Sequence, residues 1–420
     1  MSILNEIFNY LEEIKNGQCS FQKVMNKGLK KYSKEDAFLI KDTLKSVVNR
    51  YYFLLWELNK IFPVKNELTQ DYLVCALSQY HYVNLVTDDQ LERYLKEDLP
   101  LIDETISVSE LVIKIRDLGG VQLKISDREN EILVKRLAIN YSYPEWVCKM
   151  ISKHFGFKKA YKTIASSRKS VKLALNVNTF LTSAEDLIDD YPDLFEKGIL
   201  SDNTLRFKGK DKLIELEPFK NNYIFVEDEA SQLLVNSLNI DINDTCLLLC
   251  GDRITMALDM AMKLKDLGTV HTCTDNIVDY NSLRNMSNRF KLHSLDIFES
   301  NVSQLITHVG KETCDKVLFV AKSSSLGVVR RRPDVLLTLK RNELDEIINN
   351  EKQELSEVSD FVKNGGLLEY AVFTYSRKES TEVIEDFLSK HEDFELLNNR
   401  QIFSFEAPSD GVYFALLRRK

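Results

Sequence analysis

At 420 residues the chain has room for two to four domains, and a hydrophobic fraction of 44% can fill sizeable cores. A formal net charge of −8 excludes a wholly basic nucleic-acid binder, so any RNA surface has to be a local patch on an acidic protein. No apolar run of about 18 residues occurs and the start, Met1–Glu6, lacks a basic leader, so the expectation is a cytoplasmic protein without a membrane span.

Leu4, Ile7, Phe8, Leu11 and Ile14 fall at helical spacing, and similar periods recur over Ala37–Leu58, Asp71–His81, Ser107–Leu118 and Asp127–Leu137. Residues 1–140 therefore read as a helical bundle. Tyr141-Ser142-Tyr143-Pro144-Glu145-Trp146 marks a boundary, because proline disfavours helix before it and suits the first turn after it. Lys172–Asn178 alternates as a strand, and Thr182–Leu187 opens a helix with a capping residue. Residues 141–220 read as a small α+β module. From 221 to 420 strands and helices alternate as in a doubly wound sheet, with strands expected at Thr245–Leu249, Val270–Thr274, Lys316–Val320, Gly366–Ala371 and Val412–Leu417.

The seven cysteines include no C-x-x-C pair, which fits reduced, buried thiols. The six histidines form no metal spacing, and His271 with Cys273 on one strand face reads as core packing, so no metal centre is expected.

Gly365-Gly366-Leu367-Leu368-Glu369-Tyr370-Ala371-Val372-Phe373-Thr374 reads as a strand after a glycine turn. It resembles the G-G-x-L-v-Y-A-T-C-S strand of the bacterial 16S rRNA cytosine-C5 methyltransferases of the Sun/Fmu (RsmB-like) family. Phe225–Gln232 resembles that family's V-Q-D-E-A-S-Q, with Glu227 departing. Leu247–Ala257 resembles L-D-L-C-A-A-P-G-G-K-T, with Ile254, Thr255 and Met256 in place of the glycine pair and lysine. Cys314–Asp334 resembles F-D-x-I-L-L-D-A-P-C-S-x-T-G-V-I-R-R-H-P-D, with Val320-Ala321-Lys322-Ser323 at its centre. Ser409–Leu416 resembles the closing D-G-F-F-x-A strand.

The resemblance spans the chain and implies a fold: an all-α NusB-like RNA-binding bundle, whose helix Lys45–Tyr52 resembles, then a small α+β RNA-binding module and a Rossmann-like methyltransferase domain. It implies S-adenosylmethionine (SAM) as cofactor, held near Cys250, Gly251, Asp252, Asp275 and Asp296. A β-branched pair where glycines let backbone approach the ligand puts that binding in doubt. It implies an rRNA or ribosomal-subunit partner, met by Arg330, Arg331, Arg332, Lys340 and Arg341, and a chain acting as a monomer.

The family reaction needs a thiolate to add at carbon 6 of cytosine, a carboxylate to support the ring and a second cysteine for release. Those positions hold Phe373, Val320 and Ser323. Loss of a nucleophile can cost about six orders of magnitude in kcat. Two readings stand: a degenerate methyltransferase kept as an RNA- or ribosome-binding protein, or a working SAM-dependent rRNA methyltransferase with an atypical site, using an unrecognised nucleophile or acting on another atom, for which no thiolate is needed.

Overall fold

The computed structural model describes residues 2–118, 132–251 and 253–420. The chain divides into two compact units, one of residues up to 168 together with 331–340, the other of 169–330 together with 341–420.

The first unit is helical. Ser2 caps the helix Ile3–Lys15, whose Leu4, Ile7, Phe8, Leu11 and Ile14 are buried as their spacing requires. Ser33 caps the long helix Lys34–Ile61 by accepting from Asp36 N, and this helix buries Ile40, Leu44, Val47, Val48, Tyr51, Leu54 and Leu58. Its Lys45 and Arg50 are exposed. Helices Glu67–Leu77, Asp88–Ile102 and Val108–Leu118 pack on the same core. The helix expected over Asp127–Leu137 lies partly outside the described residues, and a helix runs over Leu133–Tyr141. Pro144 stands immediately before the helix Glu145–Phe155, and Gly156 (φ 80°) turns the chain into the helix Phe157–Ser167. Residues 331–340 also belong here: Leu337 joins this core, Tyr52 OH donates to Leu336 O at 2.8 Å, and Phe21 N donates to Asp334 Oδ2.

The second unit holds two sheets. The smaller is antiparallel, in the order β2 (Phe195–Lys197), β3 (Thr204–Phe207), β1 (Ala174–Val177), β4 (Ile224–Val226). Arg206 of β3 is buried against the carboxylate of Glu229 as a core ion pair.

The larger sheet has seven strands: β5 (Thr245–Leu249), β6 (Thr269–Thr274), β7 (Leu295–Glu299), β8 (Cys314–Val320), β9 (Val362–Val372), β10 (Phe394–Ile402) and β11 (Val412–Arg419). Their order is β10-β11-β9-β8-β5-β6-β7. The pairs among β5 to β9 are parallel, and β11 runs antiparallel between β9 and β10. Near-continuous apolar runs such as Cys246–Leu249 and Val317–Val320 suit strands covered on both faces. One face, with Leu247, Leu249, Val317, Phe319, Leu368 and Tyr370, packs on helices Leu344–Ser359 and Thr381–Lys390. Strand order reverses between β5 and β8, and such a switch point opens a ligand crevice at the carboxyl ends of the strands. No described helix is long and apolar enough to cross a membrane.

Candidate active site at the carboxyl ends of the parallel strands

After β5 the chain passes through Cys250–Ile254 into the helix Thr255–Lys263. Ile254 has φ −57° and ψ −22°, ordinary right-handed backbone, so the β-branched side chains are accepted without strain. Gly251 carries the turn instead, at φ 55°, and Arg253 N donates to Cys250 O at 3.1 Å. A Cβ built on Gly251 would meet no protein atom within 4 Å, so within the protein the glycine is required by its positive φ. Cys250 is buried, and Asp252 lies outside the described residues. Asp275 is exposed one residue beyond β6, whose register to β7 runs on without a bulge. Asp296 is near the start of β7, away from the carboxyl end, where its Oδ2 lies 3.1 Å from Nδ1 of His271. SAM is the cofactor by family resemblance. The residues here do not fit the family's way of holding it: Ile254 and Thr255 stand in place of the paired glycines, and Asp296 lies near the start of β7 rather than at its carboxyl end.

Arg253, inside that loop, turns inward. Its guanidinium carbon lies 3.3 Å from the ring centroid of Phe373, the residue at the nucleophile's position, which is itself buried. Nη1 donates to Ser231 Oγ at 3.1 Å and Nη2 to Asp410 Oδ2 at 3.2 Å. Asp410 is only 1% exposed, so both charges are largely desolvated and each needs the other. Val320 ends β8, paired with Ala371 and buried, and Ser323 Oγ accepts from Ser325 N. Phe373, Val320 and Ser323 thus sit around one strand end, but an arginine is stacked over the ring where family chemistry uses a thiol.

The conserved-looking flanks have structural work. Gly327 N donates to Phe373 O and Gly411 N to Gly327 O, and a Cβ on Gly327 would overlap the Gly411 carbonyl. Arg330 donates to Ser404 O at 2.7 Å and Ser409 O at 3.2 Å. Its guanidinium is thus turned to backbone carbonyls of its own unit. Arg331, Arg332 and Lys340 are exposed on the first unit and Arg341 is exposed on the second.

Buried acids surround this end of the sheet. Glu379 accepts from Ser324 N and Oγ and from Thr374 Oγ1, at 2.6 to 2.9 Å. Burial raises its carboxyl, with those hydrogen bonds pulling the other way. Glu351 has neither carboxyl oxygen bonded among the described residues, and burial, then Glu379 and Glu354, push it up to about 11. Glu227 accepts from Asn176 Nδ2 at 2.7 Å. Burial beside Asp259 holds Glu227 well above the carboxylate range, and burial pushes Asp259 up to about 6. Burial also raises the Cys246 thiol and pushes Cys273 and Cys314 up to about 11, the behaviour of inert structural thiols.

Sequence reasoning missed Arg253, Asp410 and the acids. For the acids the signal was partial: Glu369 stands between Leu368 and Tyr370 and Glu351 shares a helical stripe with Ile348 and Leu355, but Glu379 lies between Lys378 and Ser380. For Arg253 no local pattern exists, because its partners at 231, 373 and 410 are distant in sequence.

Residues 236–413 match the sequence profile of the 16S rRNA methyltransferase RsmB/F family. The probable ribosomal RNA small subunit methyltransferase B of Bacillus subtilis is 27% identical over 324 residues, covering 73% of this chain and 72% of that one. The crystal structure of PH0851 superposes with a TM-score of 0.75 at 16% identity, covering 100% of this chain and 99% of that one. A methyltransferase homologue protein from Pyrococcus horikoshii gives 0.61 at 16% identity, covering 70% and 100%. The helical first part and the Rossmann-like sheet are therefore those of known methyltransferase folds. Residues 236–413 belong to the 16S rRNA methyltransferase RsmB/F family, and the chain is a homologue of small-subunit rRNA methyltransferases.

Proposed function

We propose that this protein binds rRNA or a ribosomal subunit and no longer methylates carbon 5 of cytosine. One observation carries the reading: the nucleophile's position is a buried phenylalanine under a guanidinium held by Asp410 and Ser231. Carbon 5 becomes nucleophilic only after a thiolate has added to carbon 6. A phenyl ring has no atom that can do this, and Val320 cannot support the ring nitrogen. Cys314 begins β8, at the opposite end of that strand from Val320, and Cys273 lies on β6, which pairs with neither β8 nor β9, so neither stands where the family's thiol does. RNA binding is supported by the rRNA methyltransferase relatives and by the exposed bases Arg331, Arg332, Lys340 and Arg341.

The test is a calorimetric titration with SAM and S-adenosylhomocysteine, run beside transfer of a tritiated methyl group to 16S rRNA and small subunits. The expected result is no heat at millimolar ligand and no tritium in RNA. Stoichiometric transfer to cytosine would overturn the proposal, and transfer to a nitrogen or oxygen would establish an enzyme of different target.

A further inference from the structure

From Trp146 to Ala184 the sequence carries eight Lys or Arg and not one Asp or Glu, in a chain whose net charge is −8. Charge segregated this strongly forms a local positive field on an acidic molecule, and such fields concentrate polyanions. The structure separates these bases by role. Arg168 is structural: it donates to Tyr141 O and Ser142 O and lies over the Tyr143 ring. Lys149, Lys153, Lys158, Lys159 and Lys162 are exposed on the two consecutive helices Glu145–Phe155 and Phe157–Ser167.

On the second helix Ala160, Thr163, Ile164, Ser166 and Ser167 point to the core. At 100° per residue the opposite stripe runs Tyr161, Ala165, Lys158 and Lys162, and Lys159, also exposed, borders it beyond Ser166. Three ammonium groups thus share one face, and Tyr161, 47% exposed, stands at its edge. The Tyr161 ring is fixed there by an edge contact with Tyr141 at 6.0 Å between centroids, and Tyr141 OH donates to Tyr161 OH at 3.4 Å. On the first helix Lys149 and Lys153 are one turn apart, and Glu145, the nearest acid in sequence, is paired with Lys149. A face of lysines with an exposed, positioned aromatic ring matches a sugar-phosphate backbone with an unpaired base beside it.

We infer that the face Lys158, Lys159, Lys162 and Tyr161, together with Lys149 and Lys153, is a contact surface for structured RNA. The lysines neutralise backbone phosphates, and Tyr161 offers its ring to an unpaired base. It is built from other residues than the strand ends and the arginines at 331 and 332, and it rests on the reading that the protein binds RNA.

The experiment uses the full chain and a fluorescent rRNA hairpin with an unpaired loop, titrated between 50 and 300 mM salt. Lys158→Gln/Lys159→Gln/Lys162→Gln should bind roughly tenfold more weakly at low salt, with the slope of log affinity against log salt reduced by about two to three units. Tyr161→Ala should weaken binding severalfold with the slope unchanged. Lys60→Gln/Lys96→Gln/Lys114→Gln, which removes equal charge from other helices of the same unit, should match wild type, and melting curves verify folding. If wild type binds the hairpin and the 158/159/162 variant gives the same affinity and slope, the surface is wrong and RNA binding stands. If wild type does not bind at 50 mM salt, the RNA-binding reading itself falls. Equal losses in both triple variants would mean that net charge alone is responsible, which also overturns the site.

Discussion

A guanidinium 3.3 Å from a ring centroid, away from water, is attracted by about 2 kcal/mol. Arg253 adds to this two hydrogen bonds, one of them the ion pair with a carboxylate at 1% exposure. Removing one member of such a pair leaves the other charge buried without this counter-ion. Arg253→Ala should therefore cost about 3–5 kcal/mol, and the pair of changes Arg253→Met and Asp410→Leu should cost less than the sum of the single changes. Urea unfolding of the four proteins of this cycle measures it, and additive losses would deny the coupling. Restoring the cysteine alone is a poor route to activity. Phe373→Cys leaves Val320 and Ser323 in place, empties the space under Arg253 and should lose about 2–4 kcal/mol, with no tritiated methyl incorporated into rRNA.

The strands show where sequence patterns inform and where they fail. The five strands expected in the doubly wound part are all present, because apolar runs of β-branched and aromatic residues bounded by glycine or charge mark strands buried on both faces. β7 and β10 escaped the reading. They are the two edges of the sheet, and Leu-Asp-Ile-Phe-Glu and the largely exposed Phe-Glu-Leu-Leu-Asn-Asn-Arg-Gln-Ile lack an apolar run. Positions 320, 323 and 373 could be singled out in the sequence because each sits in a recognisable flank, whereas the Arg253 stack could not, since it joins four distant stretches of chain. The turn at Gly327 explains why its flank persists without the chemistry. Gly327→Ala would drive a methyl into the Gly411 carbonyl, and a loss of several kcal/mol is expected in thermal melts, with Gly251→Ala as a control that meets no neighbour but must hold φ 55°. The helix Leu344–Ser359 carries the pH dependence. Glu351 is protonated when folded, at about 11, and ionises above about 4.3 when unfolded. The folded state then holds a proton the unfolded state has lost, so stability falls as pH rises between those values, by up to about 1.4 kcal/mol per pH unit. Glu351→Gln should flatten the decline in Tm between pH 5.5 and 8.5, and an unchanged profile would assign the proton elsewhere.

The first unit is discontinuous in sequence: it is completed by residues 331–340, which supply Leu337 to its core and the Leu336 carbonyl to Tyr52. A fragment of residues 1–168 should melt below the same fragment fused through a flexible linker to 331–340, and Leu337→Ala in the fusion should remove most of the difference. Equal melting temperatures would mean that the ten residues rest on the bundle without stabilising it. The chain crosses between the units at 168/169, 330/331 and 340/341, so its contacts close very long loops.

This discontinuity bears on synthesis. A bundle at the front of a chain would ordinarily finish folding while the rest is still being translated. Here its last piece emerges 172 residues later, which at typical elongation rates is a delay on the order of ten to thirty seconds. For that interval the nascent bundle exposes the apolar surface that Leu337 will cover, and so presents itself to chaperones. Completion of the first unit thus becomes a late event, set by the arrival of a segment from the middle of the second.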